Sequence, residues 1–144
     1  MRLRLFAIAM VLFFSSPSIF AADKEDLRGR WKLIASEVRL RPDDAAEELE
    51  IEFGEEVLVV NSKVGEHRTK YLSDGSKEPG QIEWIVHDED GTRTIVRGIY
   101  RLRGRKLEIC VRIGDGDDVP ARPIAFESDR LDDCVQLLTF RRLK

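Results

Sequence analysis

Hydrophobic and polar residues alternate at every second position along most of the chain, which is the period of a β-strand with one buried face. The alternation predicts eight strands, at residues 30–35, 48–53, 57–60, 64–72, 82–86, 96–102, 107–113 and 134–142. Glycine-containing turn signals such as Asp90-Gly91 and Arg103-Gly104 separate several of them. Only residues 43–48 suggest helix, about one turn of it.

The phase of the alternation predicts which side chains face the core. In the fourth predicted strand His67, Thr69 and Tyr71 share one face, opposite Glu66, Arg68 and Lys70. Equivalent patterns predict that Trp84 and Tyr100 point inward, as do Trp31, Leu33 and Ala35. The same patterns predict an outward position for Ile85, Ile99 and Cys110.

Short strands joined mostly by tight turns predict an all-β protein, and no internal repeat divides the chain. Successive hairpins favour an antiparallel up-and-down barrel of about eight strands, because closing the sheet removes its exposed edges. We therefore expect one such barrel domain over residues 22–144.

The first 21 residues have the pattern of a secretory signal peptide. Arg2 and Arg4 precede an apolar run over residues 5–14, and small residues follow at Ala21 and Ala22, where we expect cleavage after one or the other. The run is about half the roughly 20 residues that a membrane span needs. The sequence thus predicts export to a periplasmic or extracellular location, with no membrane span after the signal is removed.

Charge narrows the range of partners. The chain has 24 basic and 27 acidic residues, and loss of Arg2 and Arg4 leaves 22 basic against 27 acidic. An acidic balance argues against nucleic acid and against an anionic membrane surface, since both would repel it. We therefore expect no nucleic-acid partner.

Three ordered blocks resemble a known family. The opening Leu27-Arg28-Gly29-Arg30-Trp31 resembles the Gly-x-Trp opening of lipocalins and their calycin relatives. Residues 98–104 followed by 107–110, an Arg122-Pro123 step leading to Phe126, and the closing segment 137–142 extend the likeness. Over residues 27–143 the chain is similar to an uncharacterised lipocalin-like domain family abundant in planctomycete bacteria. Cys134 is not part of that pattern.

This resemblance implies a lipocalin-like barrel but no activity, substrate or catalytic residue. It also implies structural roles for Gly29 and Trp31, the tryptophan closing one end of the barrel. In lipocalins a basic residue from the end of the chain often meets this tryptophan. Arg141 or Arg142 is therefore expected to stack on the Trp31 ring as a cation–π pair.

Two functions remain open at this point. Aromatic, hydroxyl and imidazole side chains on inward faces would suit a small hydrophobic or amphipathic ligand inside the barrel. The candidate binding residues are His67, Thr69, Tyr71, Trp84 and Tyr100. Side chains can also fill an eight-stranded barrel completely. The alternative is a structural or protein-interaction module of the cell envelope, with an exposed apolar patch at Ile85 and Ile99.

Other chemistry finds little support in the sequence. Two histidines twenty positions apart, His67 and His87, have no third ligand in register, so we expect neither a metal nor another cofactor. No nucleophile elbow, metalloprotease motif or phosphate-binding glycine loop occurs, and we expect no enzymatic activity.

The two cysteines form a further hypothesis. Export and a count of exactly two favour a disulfide between Cys110 and Cys134, since a lone thiol at Cys110 would lie on the exposed face. The competing interpretation is two free cysteines, with Cys110 filling a small site in the sheet.

Overall fold

The structure is a computed structural model that describes residues 27–38, 41–42, 48–127 and 135–144. Its strands are β1 Gly29–Val38, β2 Arg41–Pro42, β3 Glu50–Phe53, β4 Val57–Ser62, β5 Gly65–Asp74, β6 Gly80–His87, β7 Arg93–Arg103, β8 Lys106–Asp115 and β9 Val135–Arg142. The expected signal peptide with its cleavage site, most of the expected helical turn and Cys134 lie outside the described residues.

The strands form one closed antiparallel barrel. Seven strands follow one another in chain order from β3 to β9, and β1 closes the barrel by pairing with β3 on one side and β9 on the other. The short β2 adds a small hairpin to the end of β1. The prediction of an all-β barrel of about eight strands is confirmed. In the part of the chain that the structure describes, no helix is long and apolar enough to cross a membrane.

The predicted inward faces meet in the barrel interior. Trp31, Phe53 and Phe140 are its largest fully buried side chains, and leucine, isoleucine and valine fill the space between them. Tyr71 and Tyr100 are buried in the same cluster, and the half-buried Trp84 packs against it. The inward orientation of all three aromatic residues is thus confirmed. Side chains occupy the axis of the barrel, as expected for a barrel of this size.

One predicted inward position is wrong because β1 contains a bulge. The register of β1 against β9 shifts between Leu33 and Ala35. Beyond that point the facing of the strand is reversed, because one extra residue exchanges its two faces. Ala35 is exposed, and Ser36 is buried instead, where its hydroxyl accepts a 3.2 Å hydrogen bond from Nε2 of Gln136.

A second apolar cluster lies outside the barrel wall. Residues 116–127, which we call the strap, leave β8 and cross the outer face of the sheet. Phe126 of the strap and Leu137 pack on Ile99, Cys110 and Val135. The prediction that the face carrying Ile99 and Cys110 is exposed is therefore wrong, since their exposed fractions are 3% and 0%. A strand pattern cannot reveal that a distant loop covers the outward face.

Polar contacts hold the strap in place. One guanidinium nitrogen of Arg122 donates to the carbonyls of Gly98 (2.7 Å) and Ile82 (3.0 Å), and the other lies 3.0 Å from the Glu83 carboxylate. The guanidinium of Arg101 stacks on the Phe126 ring, 4.1 Å from its centroid. Arg122 and Phe126 therefore have a structural role, which is to hold the strap against the barrel.

Cys110 is a free thiol in this structure. Its Sγ is a weak donor to the carbonyl of Glu127 at 3.8 Å, and burial raises the pKa of the thiol above its ordinary value. Because Cys134 lies outside the described residues, the Cys110–Cys134 disulfide stays a prediction, although exposure of Cys110 no longer supports it.

Candidate functional site

A cavity with a volume of about 530 Å³ lies in the barrel wall between β5 and β6. Its lining comes from both faces of the two strands: Arg68, Thr69, Lys70, Tyr71, Leu72, Glu83, Trp84, Ile85 and His87. Residues that point inward and residues that point outward can line one space only where neighbouring strands separate. We call the gap between residues 65–70 of β5 and 85–87 of β6 the seam.

The seam exists because pairing between the two strands stops early. The ladder runs from Asp74–Gln81 to Tyr71–Trp84 and has no further pair, although both strands continue beyond it. The main-chain N–H of Tyr71 donates to Glu56 on the β4 side, at 3.1 Å. Alternate residues of a strand direct their main-chain N–H and C=O groups to opposite sides. The N–H and C=O groups of Arg68 and Lys70 therefore face β6 across the seam.

A threonine hydroxyl bridges the seam. Oγ1 of Thr69 donates to the main-chain carbonyl of Ile85 at 2.5 Å, in the position where a ladder bond from Lys70 would otherwise lie. A side chain therefore replaces a main-chain hydrogen bond at the point where the strands part. This contact satisfies the Ile85 carbonyl while leaving space for the cavity beside it.

Three of the five predicted binding residues line this cavity. Thr69, Tyr71 and Trp84 are brought together across the seam, with Tyr71 and Trp84 directly opposite each other in the ladder. The half-buried Trp84 offers its ring to the cavity. Tyr71 is more constrained, since its hydroxyl donates to the Gly54 carbonyl at 2.6 Å and its ring packs edge-on against Phe53 at 5.1 Å. Burial raises the pKa of Tyr71.

The other two predicted residues lie elsewhere. Tyr100 packs flat against β6 opposite Gly80, where a Cβ atom would come within 2.5 Å of its ring. Its role there is to fill the core, and only glycine leaves the space it needs. His67 belongs to the inward face by register but is exposed and does not line the cavity. The structure therefore brings Thr69, Tyr71 and Trp84 together at this cavity and places His67 and Tyr100 outside it.

Sequence reasoning missed the outer half of the lining. Leu72 and Ile85 add apolar surface, while Arg68, Lys70, Glu83 and His87 add charge or polarity. The Glu83 carboxylate already lies 3.0 Å from Arg122 and 3.3 Å from Arg97. Alternation assigned these side chains to solvent, and nothing in the pattern shows where two strands separate. The arrangement offers an apolar hollow around Trp84 with a polar rim.

The residues that line the cavity do not form a metal-binding cluster. Among the residues that the structure describes, no three His, Cys, Asp or Glu side chains come together as a metal site requires. His87 faces outward at the mouth of the cavity, and His67 does not join it.

The end of the barrel where β1 begins matches the expected structural roles. The guanidinium of Arg142 stacks on the buried Trp31, 4.2 Å from the ring centroid, so the cation–π prediction is confirmed for Arg142. Arg142 also donates to the Arg28 carbonyl at 2.9 Å, and the indole N–H of Trp31 donates to the Leu27 carbonyl at 2.9 Å.

Gly29, next to this stack, has a backbone conformation that favours glycine. It has a positive φ of 115°, and a Cβ atom there would lie 3.5 Å from the guanidinium of Arg142. Arg141 points outward instead and is exposed, so the alternative stacking partner is excluded.

The exposed patch expected for an interaction module is only partly present. Ile99 lies beneath the strap, whereas Ile85 remains 38% exposed and lines the cavity. The two residues therefore belong to different environments. Comparison of the chain with protein-family models, with curated proteins and with solved structures found no match.

Proposed function

We propose that the domain is a binding module for a small hydrophobic or amphipathic molecule, held in the seam between β5 and β6. The observation that carries the proposal is the cavity of about 530 Å³ around Trp84, within the size range of small-molecule sites. Because side chains fill the barrel axis, the ligand would lie in the wall and not along the axis.

The lining favours an amphipathic ligand over a purely polar one. Trp84, Leu72 and Ile85 supply apolar surface, and burial of such surface is the main source of affinity for small apolar molecules. The polar rim would orient the ligand, as a few polar groups do in other pockets.

Fluorescence titration with N-phenyl-1-naphthylamine, a neutral apolar dye, tests the proposal. The chain has only two tryptophans, Trp31 and Trp84, and Trp31 is fully buried at the end of the barrel where β1 begins. We expect the dye to bind with enhanced emission and to quench the emission of Trp84. Trp84→Phe should keep an apolar lining and bind the dye while losing most of that quenching.

Two further variants locate the dye. Ile85→Ser, at a partly exposed position of the cavity, should weaken binding several-fold without threatening the fold. Ile124→Ser, at a strap residue that is 94% exposed and outside the cavity, is the matched control and should bind as the wild type does. Equal affinity for the dye in the wild type, Ile85→Ser and Ile124→Ser would refute the proposal, as would no binding by the wild type.

A further inference from the structure

Four basic side chains lie side by side on the outside of the barrel, at the end closed by Trp31. Lys32 of β1 lies directly opposite Arg141 of β9, Arg141 opposite Lys106 of β8, and Lys106 opposite Arg103 of β7. All four are exposed. We call them the basic row. Like charges directly opposite each other destabilise a sheet, so folding alone does not favour this arrangement.

Two carboxylates that the register places beside the basic row are paired with other arginines. Glu50 of β3 lies opposite Lys32, but its carboxylate is 3.0 Å from Arg30. Glu108 is hydrogen-bonded to Arg101. Within the described part of the chain, no member of the basic row forms an ion pair.

The electrostatic effect of the row is visible at Glu108. The hydrogen bond from Arg101 holds the pKa of Glu108 below its ordinary value, and the positive charges of Arg103 and Lys106 lower it further. The same positive charges would attract an approaching anion.

The next rows on the same strands are built differently. Arg101 lies opposite Glu108, and Glu108 lies opposite Thr139, so opposite charges are matched there. The row beyond them is the apolar cluster of Ile99, Cys110 and Leu137 under the strap. Four basic side chains in succession, with no carboxylate between them, therefore distinguish the basic row from these two rows, although the whole chain has a net charge of −3.

We propose that the basic row binds a linear, flexible polyanion of the carboxylated or sulfated polysaccharide class. Adjacent cations are separated by about 4.8 Å from strand to strand, so a chain with regularly repeated anionic groups can meet several of them at once. In a closed eight-stranded barrel the outer surface turns by about 45° per strand, so the row curves around the wall. A flexible chain can follow that curve, whereas a flat bilayer would touch only part of it.

The surroundings of the row favour polysaccharide over nucleic acid. Proteins that bind single-stranded nucleic acid combine positive charge with exposed aromatic rings on which the bases stack. The exposed large hydrophobic residues of the described chain include no aromatic side chain. Duplex DNA is stiff over this length and could not follow the row.

Binding of the full chain to heparin, with neutral dextran as the uncharged reference, tests the proposal. We expect heparin to bind at low salt, the affinity to fall as salt rises, and dextran not to bind. Lys106→Gln/Arg141→Gln should weaken heparin binding at least about tenfold, since each removed cation contributes on the order of a fewfold in affinity. Lys77→Gln/Arg93→Gln, which removes the same charge from exposed sites outside the row, should retain wild-type affinity.

Thermal unfolding separates loss of the site from loss of the fold. Relief of repulsion should leave the melting temperature of the row variant equal to or above that of the wild type. If the melting temperature of the row variant falls, a second variant, Lys32→Gln/Arg103→Gln, replaces the cations at the two ends of the row. It should also weaken heparin binding at least about tenfold. Equal heparin binding by row and control variants would overturn the proposal. Tighter binding to phosphatidylserine vesicles or to oligothymidylate than to heparin would also overturn it, in favour of a membrane or a nucleic acid.

Discussion

The barrel wall is built in two ways on its two sides. Between β7 and β8 the ladder is continuous from Thr94 to Arg103, and the strap covers its outer face with a second apolar cluster. Between β5 and β6 the ladder covers only residues 71–74 of β5, and no segment of the described chain packs an apolar cluster on that outer face. The covered side is a two-layered structure, whereas the side with the seam is a single layer.

This difference indicates that the covered side contributes more to stability and that the seam side is the better place for a binding cavity. On the covered side the outward residues Ile99 and Cys110 pack beneath the strap, so strand separation would expose two clusters at once. On the seam side, separation exposes little that is not already accessible, and Thr69 replaces a lost main-chain bond. A barrel can therefore keep a filled core and still offer a cavity, if one pair of strands separates locally.

The largest loss of stability is expected from Gly98→Ala, which disturbs the close contact between β7 and β8 on the covered side. A Cβ atom at Gly98 would lie 2.6 Å from the main-chain oxygen of Cys110 and 2.8 Å from Val111, so β7 and β8 must move apart. We expect the free energy of unfolding to fall by about 3 kcal/mol, measured by urea denaturation. Gly104→Ala, at a turn glycine with φ of 60° and open space around it, should cost about 1 kcal/mol. Equal effects would show that the close approach of β7 and β8 is not essential.

Removal of the strap contact comes next. Phe126→Ala should lower the free energy of unfolding by about 2 kcal/mol, less than a fully buried phenylalanine, because Phe126 is half-buried. It should also expose the Cys110 thiol, whose burial suppresses ionisation and reaction. In a Cys134→Ser background, which leaves Cys110 as the one cysteine, reaction with 5,5′-dithiobis(2-nitrobenzoate) should be slow in the native protein and fast when Phe126→Ala is added.

The same assay tests the predicted disulfide. After denaturation without reductant, Cys110 should react if it is free, as it is in the structure. A wild-type protein that shows no reactive thiol even when unfolded would establish the bridge to Cys134 instead.

A smaller effect is expected at the seam. Thr69→Val keeps the shape of the side chain but removes the donor to the Ile85 carbonyl, and should cost about 1 kcal/mol. Amide hydrogen exchange should become faster at residues 85–87 and stay unchanged in β8. Thr139→Val on β9 serves as the matched control. Faster exchange throughout the barrel would mean that the seam is not an independent local opening.

The smallest effect concerns the pH dependence of stability. Because the folded-state pKa of Glu108 is below its ordinary value, its ion pair with Arg101 stabilises the fold above about pH 4.3, and this contribution is lost as the pH falls through the folded value. Glu108→Gln should therefore be less stable than the wild type at pH 7, and the difference should shrink as the pH is lowered through the folded-state pKa of Glu108. Glu89→Gln, in an exposed turn, is the control, and a constant difference at all pH values would contradict this account.

Much of the architecture could be predicted because alternation records which face of each strand meets the core. The inward positions of Tyr71, Trp84 and Tyr100, the strand order and the pairing of a C-terminal arginine with Trp31 were all within reach of the sequence or of the resemblance. The prediction failed at Ala35, because a bulge is a local change of register that no alternation pattern announces.

The candidate site was less predictable because it depends on contacts between distant segments. Thr69, Tyr71 and Trp84 were identified from their faces, yet Tyr100 fills the core against Gly80 and His67 remains outside the cavity. Ile85 was predicted to point outward, and Leu72 and His87 were not predicted as lining residues, because outward side chains of paired strands do not share a cavity with inward ones. Only the end of the ladder at Tyr71–Trp84 brings both faces to one space.

The sequence by itself determined the all-β class, the approximate strands and their facing, because side-chain alternation is a local property of the strand. The tertiary structure alone decided three further features: the cover over Ile99 and Cys110, the separation of β5 from β6, and the alignment of Lys32, Arg141, Lys106 and Arg103. Each of these joins residues far apart in the chain through register or loop packing. Register and loop packing are set by how the whole barrel closes, and not by any single segment.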